Sequence, residues 1–294
     1  MSLCLRSYNV LVKICRTIEE MRTACRAARR GQRRLGFVPT MGALHAGHIS
    51  LVRAARRQCD AVAVSIFVNP TQFGPKEDFS KYPRTFERDC ETLEAEGVAI
   101  LFAPSTEEMY RPGSTTFVAV EGLSEKLCGR SRPGHFRGVA TVVAKLFNIV
   151  EPGLAFFGQK DAAQAVIVRR MVRDLDLDVE IVVCPIVREP DGLALSSRNA
   201  YLDPQQRQQA TVLYRSLMRV QALADRGESD SARLIAAALE VFEQEPAVRL
   251  DYFEIVDRET LDPVVNTSQG ALVAVAAFVG STRLIDNIVL HGEG

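Results

Sequence analysis

The stretch "LGFVPTMGALHAGHISLVRAARRQCDAVAVSIF", Leu35 to Phe67, decides the fold. It opens with a short apolar segment, passes through a Gly-rich turn and a helix-like "ISLVRAARRQC", and closes on the continuous apolar run "AVAVSIFV". Strands that are apolar without alternation are buried on both faces, as in parallel sheets covered by helices. The stretch therefore reads as one βαβ unit with a right-handed crossover. The pattern recurs downstream. The helix-like "TFERDCETLEAEG" precedes "VAILFAP", "VATVVAKLFNIV" precedes "LAFFG", and "KDAAQAVIVRRMVRDLDL" precedes "VEIVVCPIV". Strands alternating with helices predict an α/β, doubly wound, Rossmann-like parallel sheet.

After about Val187 the character changes. "DPQQRQQATVLYRSLMRVQALADRG" and "SARLIAAALEVFEQEP" read as amphipathic helices, followed by the strand-like "DYFEIVD", "ALVAVAAFV" and "TRLIDNIVL". We expect two domains, a Rossmann-like one over 1–187 and a smaller α+β one over 188–294. Near the start, "TIEEMRTACRAARRG" reads as a helix with a capping box at Thr17 and Glu20 and a stop at Gly31. Its basic end (Arg26, Arg29, Arg30, then Arg33 and Arg34) is expected to be a solvated helix terminus, where cations are favoured.

Composition limits the partners. The 36 Lys and Arg balance the 36 Asp and Glu, so no global field draws the chain to nucleic acid or to an anionic membrane. The seven cysteines are odd in number and contain no C-x-x-C pair, which suits free thiols in a reducing compartment. No apolar run reaches the roughly 18 residues that span a bilayer. The N-terminal "MSLCLRSYNVLVKICR" is interrupted by Arg6 and Lys13 and lacks a small-residue cleavage site, so a cytoplasmic location is expected.

Only four histidines occur, and two of them, His45 and His48, stand three apart where the first strand of the βαβ unit gives way to its helix. Residues at that spacing share a helix face. A helix N-terminus offers free N–H groups and partial positive charge, hence an anion site. Gly47 between them is expected to let backbone and ligand approach. Imidazole N–H groups there suit the charge that develops in phosphoryl transfer. H-x-x-H also occurs in zinc sites, but neither H-E-x-x-H nor a nearby Cys cluster accompanies it, and no metal ligand is assigned.

A second strand-to-helix site is expected at Gly158, Gln159, Lys160 and Asp161, which follow "LAFF" and open a helix, with Lys160 in the first turn. Ser196, Ser197 and Arg198 in "LALSSRN" supply two hydroxyls and a guanidinium suited to phosphate oxygens. Gln72 follows "AVAVSIFVNP" and so stands at the carboxyl edge of the sheet, where open α/β folds bind ligands. "GPKEDFSKYPRT", Gly74 to Thr85, is a polar segment that fits either a lid or a static loop. "SRPGHFRG" supplies Arg132, His135 and Arg137 without a definite role.

These blocks, in order "PTMGALHAGH", "SIFVNPTQF", "EDFSKYPRT", "SRPGHFRGV", "AFFGQKDAAQ", "DGLALSSRNAYL" and "RLIDN", resemble the pantoate–β-alanine ligase family of the H-x-G-H nucleotidyltransferases. The resemblance runs from Pro39 to Asn287; Gln159 stands where Glu is common and Leu195 where Met is often seen. It implies ATP-dependent joining of pantoate to β-alanine through a pantoyl adenylate, with release of AMP and pyrophosphate. It implies an ATP site made of Met41, Gly42, Ala43, Leu44, His45, Ala46, Gly47 and His48, of Gly158, Gln159, Lys160 and Asp161, and of Val187, Leu195, Ser196, Ser197 and Arg198. By the same resemblance Gln72 binds pantoate and neighbours β-alanine, Gln164 binds pantoate, Mg2+ accompanies ATP and the protein is a homodimer. His48, His45, Lys160 and Arg198 are the expected catalytic residues. The adenylation step needs no general base, because the attacking carboxylate is already an anion; it needs fixed donors and cations. A simple adenylyltransferase, stopping at AMP transfer, is the rival enzyme reading, and a nucleotide- or RNA-binding protein using the Arg-rich helix is the non-enzymatic one.

Overall fold

The computed structural model describes residues 12–75 and 77–292. The expectations placed on residues 1–11 therefore lie outside the described residues. In chain order the elements begin with β1 (Lys13–Cys15), α1 (Ile18–Ala28), β2 (Leu35–Thr40), α2 (Ala46–Gln58) and β3 (Ala61–Ile66). There follow α3 (Phe86–Ala95), β4 (Ile100–Phe102), two single turns α4 (Thr106–Met109) and α5 (Cys128–Ser131), and the long α6 (His135–Val150). Then come β5 (Leu154–Gly158), α7 (Ala162–Asp174) and β6 (Glu180–Cys184). The chain ends in α8 (Pro204–Gln209), α9 (Val212–Ala224), α10 (Ser231–Glu243), β7 (Val248–Val256), β8 (Ala271–Val279) and β9 (Thr282–Leu290).

The first six strands form one parallel sheet in the order β1-β4-β3-β2-β5-β6. From β2 the chain steps one way to β3 and β4, and later steps the other way to β5 and β6. The order reverses between β2 and β5, and a crevice opens at such a switch point outside the carboxyl ends of the strands. Both faces are covered: Phe37, Ala63, Phe102 and Phe157 pack against α1 and α6 on one side, while Val38, Val64, Leu101 and Phe156 pack against α2 on the other. That two-sided burial is why these strands read as unbroken apolar runs. The last three strands make a separate antiparallel sheet, β7-β8-β9, covered by α9 and α10. The α/β sheet with a smaller α+β unit matches the expected fold class.

Helix α1 carries the anticipated capping box: the Thr17 hydroxyl accepts from Glu20 N at 3.2 Å, and the Glu20 carboxylate accepts from Thr17 N at 3.1 Å. Its basic end has a structural use, since Arg29 donates to the carbonyls of Val150 and Glu151 and pairs with the Glu151 carboxylate at 2.5 Å. Three local readings are corrected. The strand β1 at the sheet edge was not expected, being only three residues long. The single amphipathic run after Asp203 is two helices, α8 and α9, broken at Ala210 and Thr211. And the turn after β5 is a 3-10 turn, Gln159–Asp161, before α7 begins at Ala162.

Candidate active site

His45 is the N-cap residue of α2, in extended conformation, and His48 sits in its first turn. The Nδ1 of His45 accepts from Gly47 N at 3.1 Å, and the Nδ1 of His48 accepts from His45 N at 3.4 Å. The two imidazoles thus do for this helix what a Ser/Glu capping box does elsewhere. Because both Nδ1 atoms accept, each neutral ring carries its proton on Nε2 and offers that N–H as a donor. The rings lie 4.1 Å apart, centroid to centroid. Burial pushes both pKa values down, His45 to about 4 with help from the Lys160 charge, and His48 to about 3 with help from His45. They are neutral donors at pH 7.

Gly47 has a task beyond the one expected. A Cβ there would stand 2.8 Å from Cε1 and 2.9 Å from Nδ1 of His45. The glycine makes room for the His45 ring itself.

The turn between β2 and α2 is fixed from outside. Asp89 of α3, buried, accepts from Ala43 N and Leu44 N, each at 2.9 Å, and from the Thr85 hydroxyl at 3.0 Å. This carboxylate holds Ala43 in the left-handed region, φ +50°, where an alanine is otherwise strained. From the far side Ser197 Oγ donates to Ala43 O at 3.3 Å, joining the Ser-Ser-Arg segment to the histidine turn.

A cavity of about 230 Å³ opens at the switch point between β2 and β5. Its wall contains Met41, His45, Gly47, His48, Gly158, Lys160, Asp161, Val187, Leu195, Ser196, Ser197 and Arg198, together with Gln72 and Gln164. The fold therefore gathers most of the sequence-predicted residues round one space. Gly42, Ala43, Leu44, Ala46 and Gln159 are not in that wall; Gly42 and Ala43 face a neighbouring cavity, and the Gln159 side chain donates to Asn287 Oδ1 at 3.3 Å. A second cavity of about 740 Å³ shares Lys160, Asp161, Gln164, Ser196 and Arg198 and continues toward the antiparallel sheet.

Gln72 is buried and tightly held. Its Oε1 accepts from Asn69 Nδ2 at 3.1 Å, and its Nε2 reaches Met41 Sδ at 3.1 Å. Its main-chain carbonyl accepts from His135 Nδ1 at 2.8 Å and from Arg132 Nη2 at 3.3 Å. With Nδ1 donating, His135 Nε2 accepts from Arg132 Nη1 at 3.0 Å; burial and the Arg132 charge lower its pKa to about 4. Arg132 and His135 thus acquire the role the sequence left open, that of a support for Gln72, whereas Arg137 lies over the Phe117 ring away from the cavity. Helix α6 comes close enough because residue 138 is glycine: a Cβ there would meet Thr71 O at 2.3 Å.

The segment Gly74–Thr85 is anchored by two charge pairs. Glu77 takes Arg132 through both oxygens at 2.8 and 2.6 Å, and Asp78 takes Arg198 Nε and Nη2 at 3.0 Å each. Burial would raise the Glu77 pKa, but Arg132 outweighs it and holds the carboxyl below its usual value. Tyr82 of this segment lines the cavity. Among the described residues no partner takes Arg198 Nη1.

Sequence reasoning missed Asn69 and Asp89. Asn69 bonds Gln72, Gly138 O, Thr71 and Tyr110, and its Asn-Pro position at a strand end was a usable signal. Asp89 left none, since its main-chain partners lie 45 and 46 residues away.

Comparison with known proteins agrees with this geometry. The family model of pantoate–β-alanine ligase matches residues 13–289. The chain is 62% identical to a pantothenate synthetase of Koribacter versatilis over 283 residues, 96% of this chain and 97% of that one. It is 57% identical to that of Thermotoga neapolitana, covering 95% of this chain and all of the relative. The crystal structure of pantoate–β-alanine ligase from Thermus thermophilus superposes with a TM-score of 0.90 at 50% identity, covering 94% of this chain and 99% of that one. The Francisella tularensis enzyme, complexed with β,γ-ATP and β-alanine, superposes with a TM-score of 0.79 at 34% identity, covering 95% and 97%.

Proposed function

The chain belongs to the pantoate–β-alanine ligase family, and from that premise we propose that the cavity between β2 and β5 is where its ATP-dependent ligation occurs. The enzyme condenses pantoate with β-alanine. In the first half-reaction a pantoate carboxylate oxygen bonds to the α-phosphorus while the α–β P–O bond breaks and pyrophosphate leaves. In the second, the neutral amine of β-alanine attacks the acyl carbon, the acyl–phosphate bond breaks with its electrons going to AMP, and the amine loses a proton.

Each step is a problem of charge. His45 donates from Nε2 to the α-phosphate and His48 to the departing pyrophosphate; being neutral, they stabilise charge as donors rather than as acids. Lys160 and Arg198 neutralise it, and Ser196 and Ser197 take further phosphate oxygens. Gln72 and Gln164 hold pantoate by directional amide bonds, and β-alanine enters beside Gln72. Tyr82 lines the space and helps keep water from a hydrolysable adenylate. The observation that carries the reading is a single cavity bordered by both histidines, Lys160 and Arg198 and by both glutamines.

Magnesium would be held chiefly by ATP oxygens, with Asp161, a half-exposed carboxylate at the cavity, as the residue whose chemistry suits it. When bound it spreads the negative charge of the triphosphate. A domain boundary at 187/188 is supported by the strands, all six of the parallel sheet preceding it and all three of the antiparallel sheet following it. A homodimer and a cytoplasmic location complete the proposal; among the described residues no helix is long and apolar enough to cross a membrane.

The test is to follow pyrophosphate and AMP from ATP while omitting pantoate and β-alanine in turn. Pyrophosphate release that needs pantoate, and free AMP that needs β-alanine as well, is expected. AMP formed at the same rate without pantoate contradicts the order of steps.

A further inference from the structure

We infer that Asn287, on the antiparallel sheet, is a positioning residue for Lys160. Asn287 lies in β9, opposite Ala274 of β8, and is buried. Its amide Nδ2 donates to the carbonyl of Gln159 at 2.9 Å and to that of Lys160 at 3.0 Å. Its Oδ1 accepts from Gln159 Nε2 at 3.3 Å, a bond a glutamate at that position could not donate. All three side-chain bonds enter the one 3-10 turn that joins β5 to α7.

Asn287 is itself held. Its main-chain N–H donates to Asp286 Oδ1 at 2.7 Å, and its carbonyl accepts from Arg188 Nη2 at 3.3 Å. Arg188 pairs with the buried Asp286 through both oxygens, at 2.6 and 2.9 Å, and stacks over Tyr214. Since β9 is an edge strand, these groups occupy its free side, and Arg188 follows directly on the β6 segment that brings Val187 to the cavity.

Among the described residues the Lys160 ammonium has only a 3.8 Å contact with Asp161 to locate it. No closer side-chain partner among them fixes its place, so the main chain sets it. Both carbonyls flanking its Cα–N segment end on one buried amide, which sets the turn and, through it, where the ammonium points. The antiparallel sheet therefore takes part in phosphate binding without touching the nucleotide.

This inference rests on the assignment of Lys160 to the phosphates, and a double-mutant cycle separates the two. Asn287→Ala and Lys160→Ala are made singly and together, and pantoate-dependent pyrophosphate release is measured as kcat/KM for ATP. Lys160→Ala should lose on the order of 10²–10³, and Asn287→Ala between about 10 and 100, with the pantoate KM unchanged. In the Lys160→Ala background, Asn287→Ala should cost less than about twofold, because it acts through a side chain already removed. An equal loss in both backgrounds, or a raised pantoate KM, overturns the positioning role. A Lys160→Ala enzyme as fast as wild type overturns the phosphate assignment first, and is visible in the single variant. Asn287→Ser serves in the same cycle if the alanine variant does not fold; failure of both to fold makes Asn287 a structural residue and also overturns the inference.

Discussion

Replacing Gly47 with alanine separates stability from catalysis. The new Cβ would lie 2.8 Å from His45 Cε1 and 2.9 Å from its Nδ1. Ordinary carbon contacts begin near 3.5 Å, so that edge of the ring must withdraw by about 0.7 Å. The His45 ring can swing, so the fold survives. Swinging breaks the Nδ1 bond to residue 47 N, an N-cap interaction worth about 1 kcal/mol. Alanine in place of glycine inside a helix returns at most about 1 kcal/mol. Stability should therefore stay within about 1 kcal/mol of wild type. The ring, however, has left its place, and with His48 only 4.1 Å away it disturbs the second donor too. Misplacement on this scale, at a donor facing developing charge, costs on the order of 10²-fold. Thermal melts alongside pantoate-dependent pyrophosphate release measure both quantities. A Gly47→Ala enzyme with full adenylation activity would refute the reasoning, because the pair could then tolerate displacement.

Other outcomes follow from the same geometry. Asp89→Ala leaves Ala43 N, Leu44 N and the Thr85 hydroxyl without their carboxylate and should cost about 3 kcal/mol in chemical denaturation, with activity falling as the histidine turn loosens. Acid should destabilise the protein through His135: its native pKa of about 4 lies below the unfolded 6.5, so from pH 6.5 downward the unfolded chain binds a proton the native one refuses, and stability falls. By pH 5 that amounts to about 2 kcal/mol; His45 and His48 lose stability with acid in the same sense, so His135→Gln should reduce, without abolishing, the fall of the urea midpoint between pH 7 and 5. Gln72→Ala should raise the pantoate KM at least about tenfold while leaving the ATP KM near wild type, and steady-state kinetics in both substrates checks it.

Leu35–Phe67 was legible because a strand covered on both faces needs no partner knowledge to be recognised; apolar continuity is enough. The histidines were legible for the same local reason, three residues apart at a strand–helix junction. Their tautomers were not, because a histidine pair capping its own helix is invisible to a reading that looks for Ser, Thr and Glu. The purpose of Gly47 was only partly legible, since a side chain there would also clash with a ring two residues back. What stayed hidden depends on distance along the chain: Asp89 clamps a loop 45 residues earlier, and Asn287 clamps one 127 residues earlier. Polarity alone could not reveal that Glu77 and Asp78 anchor their segment, since their partners Arg132 and Arg198 meet them only in the folded molecule.

The account stands most directly on His48, a half-buried neutral donor at the head of α2. Single-turnover pyrophosphate release by His48→Ala, with saturating ATP and pantoate, should be slower than wild type by on the order of 10²–10³ while the melting temperature stays close to that of the parent. A folded variant that forms the adenylate at the wild-type rate would contradict it.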